Sequence, residues 1–222
     1  MSQARPTVEV LSDRLLGVFP ALDPDDQRLS LALYRQLAEG APVALPALAA
    51  GLAMPRKEVA RRLAAWPGLS YDGERRVIGY WGLTIRPTTH RLHVDGRELY
   101  AWCAWDTLFL PALLGRTAEV SSVCRGSGES VRLTVNSRKV DSAAPEGLAV
   151  SFLVPDADAV RTDVITGFCH YVHFFSSADA ARPWLAQHSE AFVLSLDEAY
   201  EIGRRSTRAR YSLRARQYRR GM

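Results

Sequence analysis

Two residue types that are poor choices for an apolar run lie three positions apart within Leu99–Gly115: a cysteine, Cys103, and an acid, Asp106. The apolar residues Leu99, Trp102, Trp105, Leu108 and Phe109 recur at helical spacing and the run meets Pro111, which predicts a helix over 98–110. Residues three apart are neighbours on a helix, so the Cys103 thiol and the Asp106 carboxyl would share one face. A carboxyl beside a thiol, both against Trp rings, is an arrangement that proton transfer can use. The same residues also suit plain packing, with Cys103 a small buried hydrophobe and Asp106 a satisfied polar group. The residue pattern leaves both readings open.

A second group, Cys169, His170 and His173, has the residue types of a zinc site. Its surroundings, Gly167-Phe-Cys-His-Tyr-Val-His-Phe-Phe175, are dense in aromatic residues and predict a strand. On a strand His170 faces away from the other two. Cys169 and His173 would then lie ~13 Å apart at ~3.3 Å per residue, too far to share an ion whose ligands sit at ~2.0–2.3 Å. Cys124, before a glycine turn, reads as structural, because free cysteine is among the most buried residue types. The chain has no Cys-x-x-Cys, His-x-x-x-His, P-loop or Gly-x-Ser-x-Gly segment.

The elements that must position these residues fall into two parts. Residues 1–23 allow a short helix. Asp23-Pro24 then opens a helix carrying Leu29, Leu33 and Leu37 to Gly40; a second is expected over 45–51 and a third from Pro55 to Trp66. Leu69-Ser-Tyr and Val77-Ile-Gly-Tyr flank Asp72-Gly73, a hairpin signal. Three helices and a hairpin is the order of a winged helix, and the third helix bears Arg56, Lys57, Arg61 and Arg62. It offers no Asn, Gln, Ser or Thr to read base edges, and Glu58 interrupts its basic face, which argues against nucleic acid as a partner.

After residue 82 strands dominate. A strand pair is expected around Pro87, with Asp95-Gly96 turning into the Cys103 helix. A hairpin over 118–135, strands over 148–154 and 192–196, and helices over 156–164, 179–188 and 196–205 complete the pattern. The fold class predicted is α+β, a winged-helix-like N-terminal domain (1–82) followed by a core of antiparallel sheet with flanking helices (83–205). Residues 206–222 are expected to be an Arg-rich, solvated tail.

Composition is that of an ordinary globular chain of 222 residues, 47% hydrophobic and 23% charged. No apolar stretch approaches a membrane span, and the opening Met1-Ser-Gln-Ala-Arg-Pro6 lacks the apolar segment of a secretory signal, so neither is expected. Three cysteines do not suggest a disulfide framework, so a cytoplasmic setting with reduced thiols is expected. The net charge of +4 is local: taking away the eight arginines of residues 204–222 leaves −4 on the rest.

The run Arg97-Glu-Leu-Tyr-Ala-Trp-Cys-Ala-Trp-Asp-Thr-Leu-Phe-Leu-Pro-Ala-Leu-Leu-Gly-Arg-Thr-Ala118, followed by Val120-Ser-Ser-Val-Cys124, resembles the organomercurial (alkylmercury) lyases of bacterial mercury resistance. Gly79-Tyr, Gly82-Leu-Thr84 and Phe168–Phe175 extend the resemblance in the same order. It departs at His170, where the family usually has a second cysteine, and after residue 203.

The resemblance implies protonolysis of the carbon–mercury bond by Cys103, Asp106 and Cys169, with Cys124 outside the reacting set. Thiolates are the softest ligands a protein offers to mercury, and Asp106 would carry the proton to carbon. Cys103 and Cys169 would then hold Hg(II), and no cofactor is implied. External low-molecular-weight thiols would support turnover, and Hg(II) would pass to mercuric reductase. Trp102, Trp105 and Phe168 suit an apolar substrate wall or plain core. Without the resemblance the residues indicate only a soft-metal or thiol-dependent site. A winged-helix metal-sensing regulator, a non-catalytic mercury-binding protein and a structural or interaction module are the alternatives.

Overall fold

The N-terminal helices form where caps and apolar spacing agree. The computed structural model describes residues 5–19 and 21–211. Helix α1 (Val8–Val18) is followed by α2 (Pro24–Leu37), where the Asp23 carboxylate accepts from the Asp26 N–H at 2.7 Å and Pro24 occupies the first turn. Leu29, Leu33 and Leu37 are fully buried along its inner face. Helices α3 (Leu45–Leu52) and α4 (Arg56–Ala65) follow, α4 burying Val59 and Leu63. Two of its four basic residues are tied to acids: Arg62 reaches Asp23 at 2.9 Å, Asp26 at 2.7 Å and Glu58 at 2.7 Å, and Arg61 reaches Glu58 at 2.6 Å.

The expected hairpin is present as β1 (Leu69–Tyr71) and β2 (Val77–Tyr80). It continues into a larger sheet through β3 (Leu83–Thr84), β4 (His90–Val94), β5 (Arg97–Ala101), β6 (Ala118–Val123), β7 (Ser130–Val135) and β8 (Val140–Ala144). The order is β1-β2-β3-β5-β4-β6-β7-β8, with every pairing antiparallel. Helix α5 (Asp106–Leu114) leaves β5 and returns to β6. A second sheet has β9 (Ala149–Phe152) between β10 (Phe174–Phe175) and β11 (Phe192–Ser195). Helices α6 (Ala157–Thr162), α7 (Val164–Gly167) and α8 (Arg182–Leu185) sit in its connections, and α9 (Leu196–Arg210) starts from a Ser195–Glu198 capping box. Antiparallel sheet with flanking helices is therefore the architecture, and one apolar core runs through helices and sheets alike. Among the described residues no helix is long and apolar enough to cross a membrane.

Four expectations need correction. The helix predicted over 98–110 is a strand, a turn and a helix: β5 ends at Ala101, residues 102–105 turn, and α5 begins only at Asp106. Leu99 and Ala101 are buried on the β5 ladder and Leu108 inside α5, so apolar positions mimic one helical stripe across a change of element. Helix α5 also runs past Pro111, closing on left-handed Gly115.

The strand predicted over 167–175 is instead the end of α7, a 3-10 turn over Cys169–Tyr171 and a short strand of Phe174 and Phe175 alone. Before that strand the Ser151 hydroxyl stands in for ladder bonds, donating to the Tyr171 carbonyl at 2.8 Å and accepting from the His173 N–H at 2.9 Å. The strand pair expected around Pro87 does not form, because β3 pairs with β2 and β5 while β4 pairs with β5 and β6. Finally, the chain beyond 205 is not all tail: α9 continues to Arg210, and Ser206 and Tyr211 are buried. The Tyr211 hydroxyl lies 2.8 Å from that of Ser30. Residues 212–222 of the expected tail lie outside the described residues.

Candidate active site

Cys103 sits in the turn between β5 and α5, and the turn is built around Asp106. Asp106, the first residue of α5, folds its carboxylate back to accept the Cys103 N–H at 2.9 Å. The Trp102 N–H donates to the Gly82 carbonyl at 2.9 Å, and the Thr107 hydroxyl donates to the Ala104 carbonyl at 2.7 Å. Gly82 is required by close approach: a Cβ there would lie 2.6 Å from the Asp106 carboxyl, and its φ of +96° is in the left-handed region.

Cys169 arrives from the other direction, in the 3-10 turn after α7. The Ala104 N–H donates to the Val172 carbonyl at 3.2 Å, tying the two cysteine-bearing turns together. Cys103, Asp106 and Cys169 are all buried, and their ligand atoms lie within 4.8 Å of one another. They are the only such group of three or more His, Cys, Asp or Glu side chains among the described residues, so His170 and His173 do not join them. His173 instead directs its ring Nε2 to the His170 carbonyl at 2.8 Å. The zinc reading thus fails on this geometry rather than on strand spacing.

Burial sets the electrostatics. Desolvation holds the Cys103 thiol well above its usual range, helped by the Cys169 thiol and the Asp106 charge. At Cys169 the contact with the Cys103 thiol lowers the pKa, but burial and the charges of Asp106 and Asp163 leave it raised. Desolvation lifts Asp106 to about 7, against the pull of the Cys103 thiol and the N–H groups of Cys103 and Trp102. The resting group therefore holds two neutral thiols beside a carboxyl that can accept or give a proton near neutrality.

Trp102, Trp105 and Phe168 line a cleft together with Asp106 and Cys169. Trp105 packs edge-on to Phe168 with centroids 5.9 Å apart and donates its Nε1–H to the Ala199 carbonyl at 2.9 Å. Cys103 lies deeper, fully shielded. The enclosed space, about 20 Å³, has room for roughly one water. An aryl group therefore enters only if lining side chains shift.

Sequence reasoning missed Phe19, Trp81, Gly82 and Arg210 as cleft residues. They come from the N-terminal helix, the β2–β3 turn and the last turn of α9, and no local pattern joins them. Cys124 lies outside the group, at the end of β6. Its Sγ accepts from the Ser127 N–H at 3.4 Å and the Ser176 N–H at 3.3 Å.

A family model described as alkylmercury lyase matches residues 83–208. An alkylmercury lyase of Staphylococcus epidermidis is 49% identical over 172 residues, covering 78% of each chain. One of Streptomyces lividans is 44% identical over 177 residues, 80% of each chain. One of Bacillus cereus is 42% identical over 172 residues, 78% of this chain and 77% of that one. The crystal structure of the mercury-bound form of MerB2 shares the fold, with a TM-score of 0.71 at 24% identity over 90% of this chain and 97% of that chain.

Proposed function

Because the chain belongs to the alkylmercury lyase family, we propose that its cleavage of carbon–mercury bonds is carried out by Cys103, Cys169 and Asp106. The observation that carries this reading is the buried approach of two sulfurs and a carboxyl within 4.8 Å, beside an aromatic cleft. Neither a regulator nor a mercury carrier needs the carboxyl there.

The reaction balances in protons and electrons. An organomercurial R–Hg–SR′, carried by an external thiol, exchanges its thiolate for one cysteine sulfur, and that cysteine's proton leaves as R′SH. Coordination to a metal ion deprotonates a thiol outright, so the second cysteine binds mercury as its proton passes to Asp106. Electron density from two sulfurs makes the carbon more basic. The carbon–mercury bond breaks with its pair on carbon, which takes the proton from Asp106 to give R–H. Hg(II) stays between Cys103 and Cys169, with no change of oxidation state. Two further R′SH molecules return both cysteine protons and remove Hg(SR′)₂, which suits hand-over to mercuric reductase. We assign no cofactor to this cycle. A cytoplasmic setting supplies the reduced thiols it uses.

Trp102, Trp105 and Phe168 supply the apolar wall that accepts alkyl or aryl groups and keeps water from the Asp106 carboxyl. The part up to residue 82 acts as a winged-helix-like cap, contributing Trp81 and Gly82 to the cleft. Incubation with phenylmercury and excess thiol should release benzene. Cys103→Ser and Cys169→Ser should each abolish it, because a hydroxyl is a hard ligand that neither binds nor activates mercury. Turnover surviving in either variant would refute the assignment.

A further inference from the structure

The cleft has one charged group that the protonolysis does not use. Arg210, on the last turn of α9, lines the same cleft as Asp106 and Cys169. Its Cζ lies 4.5 Å from the Phe19 ring centroid and 5.7 Å from that of Trp81, both cleft residues. Its Nε and Nη2 atoms are shielded from water and have no hydrogen-bond partner among the described residues. Elsewhere on the same helix the contrast is plain, for Arg204 and Arg205 both bind Glu201, at 2.6 and 2.8 Å.

A guanidinium stays charged in any protein environment, and burying its donors unpaired is costly. Ring faces attract the cation through their π-systems but leave its in-plane N–H groups unused. Nε and the Nη2 on the same side of the guanidinium present two parallel N–H bonds. That edge is the fork that grips a carboxylate with two hydrogen bonds.

We propose that Arg210 is a carboxylate-binding subsite of the cleft, receiving an acidic group that arrives attached to mercury. Two carriers have this chemistry: the organic group of the mercurial, or the thiol that escorts mercury in and out. Either places a carboxylate a few bonds from the metal. The proposal rests on the cysteine–aspartate reading above, because it requires mercury to be held at that end of the cleft.

The test uses the full chain and four substrate combinations: phenylmercury or 4-carboxyphenylmercury, each with excess 2-mercaptoethanol or mercaptoacetate. Release of benzene or benzoate should show kcat/KM about tenfold or more higher when a carboxylate is present, chiefly through KM. Preference following the aryl group assigns the subsite to the substrate, and preference following mercaptoacetate assigns it to the thiol. In Arg210→Gln the preference should fall to about twofold or less. Arg210→Lys, which keeps the charge but not the fork, should retain part of it. Thermal melts of both variants show that the comparison is made on folded protein.

Equal kcat/KM for all four combinations in the parent enzyme would overturn the proposal, as would an undiminished preference in folded Arg210→Gln. Failure of the cysteine–aspartate reading would appear separately, as benzene release surviving in Cys103→Ser or Cys169→Ser.

Discussion

Asp106 is held where its proton is finely balanced. Desolvation lifts its carboxyl to about 7, so a free carboxylate able to take the second thiol proton is half depleted near neutrality. We expect kcat/KM for phenylmercury to fall as pH drops below about 7, an inflection that Asp106→Asn should lack. The same shift works against folding at higher pH. A carboxyl of ordinary pKa 3.8 when unfolded and about 7 when folded favours the native state fully below pH 3.8, and that advantage disappears as pH rises through 7. At ~1.36 kcal/mol per pH unit the loss is at most about 4 kcal/mol. Denaturant titrations of Asp106→Asn between pH 4 and 8 should therefore give a flatter stability curve than the parent's. Gly82 is tied to the same carboxyl. A Cβ there would fall 2.6 Å from it, so Gly82→Ala should slow benzene release at least tenfold, beyond any loss of folded protein seen in a thermal melt. Release at the parent rate would mean that the carboxyl can move without consequence.

At the scale of elements, the end of α9 reaches the cleft. Ser206 and Tyr211 are buried, Arg210 lines the cleft, and the Trp105 indole donates to Ala199 on the same helix. A chain ending after residue 205 should lose stability by a few kcal/mol, through the Tyr211–Ser30 hydrogen bond and the apolar surface left bare. A chain ending after Tyr211 keeps every contact described here and should retain turnover. Melting temperatures and benzene release of the two truncations check this. Eight arginines in 204–222 suggested solvated chain from 206, because charge is visible locally while burial of Ser206 and Tyr211 depends on partners far away. The reverse error occurred at Cys103. Apolar residues at 99, 102, 105, 108 and 109 satisfied a helical period across a strand, a turn and a helix, because nearly every residue there is buried and period loses its meaning. The N-terminal helices and the β1–β2 and β6–β7 hairpins were legible because caps and Asp or Gly turns act within a few residues.

For the whole molecule, the main consequence of the fold is convergence. Cys103 and Cys169, 66 residues apart in the chain, reach one buried group where the turn after β5 and the turn after α7 meet, bonded through Ala104 and Val172. The residue types of the site were legible from the sequence, through their resemblance to a known family. Their approach and the cleft residues Phe19, Trp81 and Arg210 depend on tertiary packing and were not. The central claim is that the sulfurs hold mercury while Asp106 delivers the proton, and these roles separate in one experiment. Load the parent and Asp106→Asn with equimolar phenylmercury, then follow bound mercury and released benzene in the same samples. Asp106→Asn should bind mercury through its intact cysteines yet release benzene ~10²–10⁴-fold more slowly than the parent. Release at the parent rate from mercury-loaded Asp106→Asn would contradict the account, because the proton would then come from another group.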